Sequence, residues 1–113
     1  MGSERRRSNA SLDQRAAHVA DMARWIRTRS FRMVYEAKQG HPGGDFSAAD
    51  ILAALYFDAM QYNPQAPRDP NRDRFVMSKG HCSGALYAVL AKAGFFPEDQ
   101  LSSYMQPLSA LNG

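Results

Sequence analysis

The sequence predicts an α/β fold that is mostly helical with one recognisable strand, and three observations carry the expectation. Four separate stretches read as helices from their start or stop signals, the first of them with apolar residues recurring at three- and four-residue steps. One short apolar run, Arg74-Phe75-Val76-Met77, ends in Ser78-Lys79-Gly80-His81 and reads as a strand turning into a helix. A lone strand cannot satisfy its own backbone donors and acceptors, so the order helix, helix, strand, helix, helix reads as part of a larger sheet-containing domain.

Ser11 followed by Gln14 is a capping-box start. Leu12, Ala16, Val19, Ala23, Ile26, Met33 and Ala37 then form one apolar stripe, with Arg15, Arg24, Arg27, Arg32 and Lys38 largely off it. This predicts a long amphipathic helix closed at Gly40. Ser47 with Asp50 opens a second, well-buried helix through Ile51, Leu52, Leu55, Tyr56 and Met60, which Asn63-Pro64 stops. The proline-rich NPQAPRDPNRD, residues 63–73, has no periodicity and reads as an ordered surface connection. The third helix is expected from about Cys82 to Ala93, closed by Gly94, and a short fourth from Pro97 to Tyr104.

Composition narrows the function classes. Fourteen basic against 11 acidic residues give a net charge of +3, and Arg5-Arg6-Arg7 supply that excess. The body is therefore close to neutral and has no broad basic face for nucleic acid. The single Cys82 rules out an intramolecular disulfide and a paired-cysteine metal knuckle, which leaves the cytoplasm as the expected location. No apolar run approaches the roughly 20 residues that cross a bilayer, so no membrane role is expected. Residues 1–10 read as a disordered basic leader and residues 11–113 as a partial domain.

Two segments carry chemistry. Gly40-His41-Pro42-Gly43-Gly44 lies before the second helix, where unpaired N–H groups and the positive end of the helix dipole suit an anion. Ser78-Lys79-Gly80-His81 follows a strand end and precedes a helix, where open α/β sheets bind ligands. Each offers a histidine able to donate to a phosphate oxygen or exchange a proton near neutral pH. Local chemistry alone leaves bland readings open: a C-cap and a tight turn for the glycines, a structural hydrogen bond for His81, a surface lysine for Lys79. His18 reads as a solvated or packing histidine. A zinc site of His41, His81 and Cys82 lacks any recognised ligand spacing, and no metal ligands are assigned.

GHPGGDFSAADILAALYF, then NP, then RDRFVMSKGHCSGALYAVLAKAGFF, resembles the N-terminal segment of transketolases, with both motifs in order at comparable spacing over about residues 12–113. SKGH looks like the version in animal-type and in split bacterial transketolases, whose halves are separate chains. The resemblance implies the mostly helical N-terminal fragment of a thiamine diphosphate-binding fold. It implies transfer of a two-carbon ketol unit from a ketose phosphate to an aldose phosphate, with thiamine diphosphate and Mg2+ as cofactors. His41 matches the histidine that contacts substrate hydroxyls and assists proton transfer, and His81 the one that touches the cofactor diphosphate. Gly44 stands where some members carry a serine that approaches the cofactor, so here it offers backbone only.

The same resemblance implies sugar phosphate substrates, a partner in the form of a C-terminal transketolase subunit, and a homo- or hetero-oligomer. The family's Gly-Asp-Gly metal and diphosphate motif is not in the sequence, nor the later asparagine, nor the glutamate that activates the aminopyrimidine ring. The expectation is therefore a truncated transketolase segment that is inactive alone. The competing class is a non-catalytic interaction module docking on a transketolase-like partner.

Overall fold

The structure is a computed structural model in which residues 10–112 are described. The expected leader over residues 1–10 lies, up to residue 9, outside them. The first helix, α1, spans Leu12–Ala37. Both halves of its capping box form: the Gln14 amide donates to Ser11 Oγ at 3.1 Å, and the Ser11 amide donates to Gln14 Oε1 at 3.0 Å. The helix stops three residues before Gly40, because Lys38 takes the left-handed conformation at φ 58°. Gly40 makes the next sharp turn at φ 139°, and a Cβ there would sit 2.7 Å from Val34 Cγ2. Backbone angle and crowding both require glycine at this corner.

The second helix, α2, spans Pro42–Ala54 and starts five residues earlier than the Ser47 expectation. Proline is already set for the first helical position and has no N–H to leave unpaired. The Ser47 hydroxyl donates to the Gly44 carbonyl at 3.0 Å, so it does not cap. The helix then widens into a π-helical turn, Leu55–Ala59, and ends at Met60, short of Asn63-Pro64. The Met60 amide reaches back five residues to Leu55 O at 2.8 Å, and the Tyr62 hydroxyl donates to the Tyr56 carbonyl. Tyr62 thus takes up a carbonyl beyond which the helix no longer continues. Residues 63–73 form successive turns, as expected of an ordered connection.

The expected strand over Arg74–Met77 is not a strand. Residues 74–79 have no regular secondary structure, and the Asp73 amide donating to Gln61 O at 2.9 Å is the bond that anchors their start. A strand exists through its ladder, and among the described residues no second strand runs beside this segment. The α/β expectation is corrected accordingly: the described architecture is helical. A 3-10 turn, Gly80–Cys82, leads into α3, Ser83–Ala93. Gly94 closes α3 at φ 100°, and the Phe95 amide donates to Leu90 O at 3.0 Å. The fourth expected helix is a 3-10 segment, Glu98–Ser103, preceded by Pro97.

The three helices pack on one another around Ile26 and Met33 of α1, Ala49, Leu52 and Ala53 of α2, and Ala85, Ala88 and Val89 of α3. Leu101, Tyr104 and Leu111 close the end of this core. Alanines where α2 faces α3 let the two backbones approach closely, and this brings the two helix starts side by side. Arg15 holds the π turn to α1 through two 2.9 Å bonds to Asp58. His18 packs edge-on against Phe57, the packing alternative of its sequence reading. Val76, Tyr35, Ile51 and Phe31 remain exposed, Ile51 on a helix expected to be well buried. Among the described residues no helix is long and apolar enough to cross a membrane.

Candidate functional site

His41, Gly44 and His81 come from segments 40 residues apart and meet at one place, where α2 and α3 both begin. His41 is the residue before α2, and His81 sits in the 3-10 turn that feeds α3. Their rings stand edge to face, with centroids 5.8 Å apart and planes at 80°. Both side chains are exposed. A ligand approaching from solvent therefore meets two imidazoles together.

Gly44 lies against the second of them. A Cβ at this position would be 2.9 Å from His81 Cδ2 and 2.9 Å from Cys82 Sγ, so backbone is all the site has room for here. A Cβ at Gly43 would meet nothing within 4 Å, which leaves that face of the helix start open. Helix geometry gives the amides of Gly43 and Gly44 no intrahelical carbonyl, and His41 makes no side-chain cap to them. The first turn of α2 thus combines two backbone donors, the dipole's positive end and two imidazoles, a donor set that fits an anionic oxygen group.

Beneath the histidines lies a residue that the sequence reading passed over. Asp45 is 1% exposed, and its Oδ1 accepts the Ala85 amide of α3 at 2.9 Å. Its Oδ2 has no hydrogen-bond partner among the described residues. Burial pushes its carboxyl above the usual range, while the Ala85 bond and the nearby His41 and His81 pull it back. The signal for Asp45 was its spacing: 45, 49, 52 and 53 mark the buried face of α2, and a carboxylate on such a stripe must be partnered. Tyr104 is also at hand. Its hydroxyl lies 3.2 Å from where a Gly40 Cβ would stand, and burial raises its phenol.

Lys79 is exposed at the edge of the turn, beside a groove of about 180 Å³ that Ile51, Val76, Met77 and the buried Cys82 also line. Among the described residues no group of three or more His, Cys, Asp or Glu side chains could hold a metal ion.

Comparison with known proteins adds a family. The profile described as "Transketolase, thiamine diphosphate binding domain" matches residues 18–113. A transketolase of Pongo abelii is 44% identical over 100 residues, covering 88% of this chain and 16% of its own length. A subunit of the apulose-4-phosphate transketolase of Phocaeicola vulgatus is 47% identical over 87 residues, 77% of this chain and 31% of its own. A 6-deoxy-6-sulfo-D-fructose transketolase subunit of a Clostridium species is 38% identical over 96 residues, 85% of this chain and 35% of its own. The chain thus spans about a sixth to a third of the length of the curated relatives it matches.

Proposed function

The chain belongs to the transketolase family, within its thiamine diphosphate binding domain, and from that premise we propose that it supplies the histidine-bearing wall of a ketol-transfer site. The reaction is movement of a two-carbon ketol unit from a ketose phosphate to an aldose phosphate. Residues 11–113 form part of such a domain, in a family whose matched relatives are several times longer than this chain. The observation that carries this reading is the pairing of His41 and His81 at 5.8 Å over the backbone of Gly44. The relatives named as subunits support a partner subunit; that it is a separate C-terminal subunit, that the assembly is a homo- or hetero-oligomer and that it works in the cytoplasm belong to the same proposal.

Thiamine diphosphate, when bound, supplies the carbon centre that takes up and gives back the two-carbon unit. This chain's residues hold and orient. His81 donates to a diphosphate oxygen, and the amides of Gly43 and Gly44 add donors where the helix dipole favours negative charge. His41 faces the sugar: it hydrogen-bonds substrate hydroxyls and takes or returns a proton at its imidazole nitrogen. Magnesium is the expected companion of the diphosphate. The described residues hold no ligand cluster for it, so no step here is assigned to the ion.

The test is made in an active transketolase that contains this segment, with any C-terminal subunit supplied. His81→Ala is expected to raise the thiamine diphosphate Kd about 10- to 100-fold, the equivalent of losing a charge-assisted bond of about 1.5–3 kcal/mol. At saturating cofactor His41→Ala should lower turnover or raise the substrate KM by on the order of 10²–10⁴-fold in kcat/KM. Rescue of the His41 variant by excess cofactor would reverse the two roles. If neither variant changes either parameter, both histidines are structural and the interaction-module reading takes over.

A further inference from the structure

Asp45 is a carboxyl where the helix pattern asks for an apolar side chain. It is more than nine-tenths buried, and only one of its two oxygens has a partner among the described residues. The opposite helix is shaped around it. A Cβ on Gly84 would stand 2.6 Å from Asp45 Oδ2, so only glycine at the second position of α3 admits the carboxyl.

The contact also does something that no residue of α3 does. Cys82, the residue before α3, makes no side-chain cap, and while the Ser83 amide bonds Gly80 O of the preceding 3-10 turn, the Ala85 amide needs a partner from outside the helix. Asp45 Oδ1 takes the amide of Ala85, so α3 is capped from α2. One residue earlier, Gly44 fits against the His81 ring and the Cys82 sulfur. The two helix starts therefore mesh as Gly44 on His81 and Cys82, then Asp45 on Gly84 and Ala85. His41 stands immediately before this mesh on one side and His81 on the other. The titratable groups facing Asp45 are those two imidazoles and the Tyr104 phenol.

We propose that Asp45 is the positioning residue of the site: its buried carboxyl ties the N-terminus of α3 to the first turn of α2 and thereby sets the relation of the His41 and His81 rings. The proposal rests on the ketol-transfer reading for the roles of the histidines, and on the contacts alone for the tie itself. An amide oxygen can accept the Ala85 N–H as a carboxylate does, and a methyl group cannot.

The test is made on the 113-residue chain without cofactor, by NMR of the histidine rings. The wild type should give a cross-peak between the His41 and His81 rings, as should Asp45→Asn. Asp45→Ala should lose it, as should Gly84→Ala, whose methyl evicts the carboxyl, while the exposed control Asp50→Asn keeps it. A cross-peak retained in Asp45→Ala, or lost in Asp45→Asn while dispersion of the amide spectrum persists, overturns the proposal. Where Asp45→Ala loses amide dispersion altogether, Asp45→Ser decides, because its shorter side chain cannot span to Ala85: retention of the cross-peak there is equally fatal. No cofactor enters the measurement, so failure here is separate from failure of the ketol-transfer reading, which the cofactor titrations decide.

Discussion

Gly44→Ala puts a methyl group where two neighbours already stand. The new Cβ lies 2.9 Å from Cys82 Sγ and 2.9 Å from His81 Cδ2, against an ordinary separation of about 3.5–4 Å between unbonded carbons. The two cannot yield equally. Cys82 is fully buried among packed side chains, whereas the His81 ring is exposed, so the imidazole is the group that moves. Overpacking of this kind costs about 1–3 kcal/mol. With about 2 cal/mol/K of unfolding entropy per residue, a chain of ~100 ordered residues loses roughly 5–15 °C in Tm. Circular dichroism melts read the loss, and the His81 ring resonances read the displacement. Cys82→Ala removes one of the two obstacles, so Gly44→Ala made in that background should be milder by about 0.5–2 kcal/mol. Unchanged Tm together with unchanged His81 resonances would refute the reasoning, since the methyl would then have found room the contacts deny it. So would equal losses in both backgrounds, because Cys82 would then not be an obstacle.

Three further outcomes are expected. Burial raises the Asp45 carboxyl above its ordinary value, so the folded chain holds that proton more tightly than the unfolded one. The stability this contributes is fully present below the unfolded value of about 4 and is lost as pH rises through the higher folded value. Melts from pH 4 to 7 should therefore show a decline in the wild type that is smaller in Asp45→Asn; parallel curves would contradict the buried titration. Leu52→Ala, at a site 1% exposed between α1 and α3, should destabilise by about 2–5 kcal/mol, read by urea unfolding. A loss under about 1 kcal/mol would mean the three helices are not packed as described. The isolated chain should bind thiamine diphosphate and magnesium no more tightly than millimolar in calorimetric titration, because the described residues offer donors to the diphosphate and no ligand cluster for its cation. Micromolar binding would show that the described site is sufficient.

What the sequence made legible was local chemistry. The capping box at Ser11 and Gln14 and the glycine closing α3 are decided within four or five residues, and both stand as expected. The two histidine segments were legible as lying before helices for the same reason, and the structure brings their rings together. The start of α2 was misplaced because serine competes with proline as a start signal, and here the Pro42 backbone wins while Ser47 turns its hydroxyl back to Gly44. The π turn was invisible, since it depends on Tyr62 reaching a carbonyl six residues back. The strand failed because its signal was propensity, whereas a strand is a relation between two segments. Asp45 could have been found. Its spacing from Ala49, Leu52 and Ala53 was in the letters, and the expected start at Ser47, which left it outside the helix, concealed it.

The failed strand bears on how the site is held. In an open α/β sheet the loop after a strand takes its position from the ladder behind it, and Ser78-Lys79-Gly80-His81 was expected to be fixed in that way. Here residues 74–79 have no ladder, yet His81 is still set against Gly44 and 5.8 Å from His41. Its position must come from the other side, from α3. That helix is tied to α2 by the Asp45–Ala85 bond, by the fit of Gly84 on the carboxyl and by the alanine-rich packing of Ala49 and Ala53 near Ala85 and Ala88. Weakening the mesh should therefore disturb the histidine pair more than weakening the extended segment does. Val76 is 86% exposed, and Val76→Thr keeps its shape while making it polar. In the chain alone this change should leave the His41–His81 cross-peak and the Tm unchanged, within about 0.5 kcal/mol for an exposed position. Loss of the cross-peak in Val76→Thr would show that the segment, and not the helix mesh, carries His81.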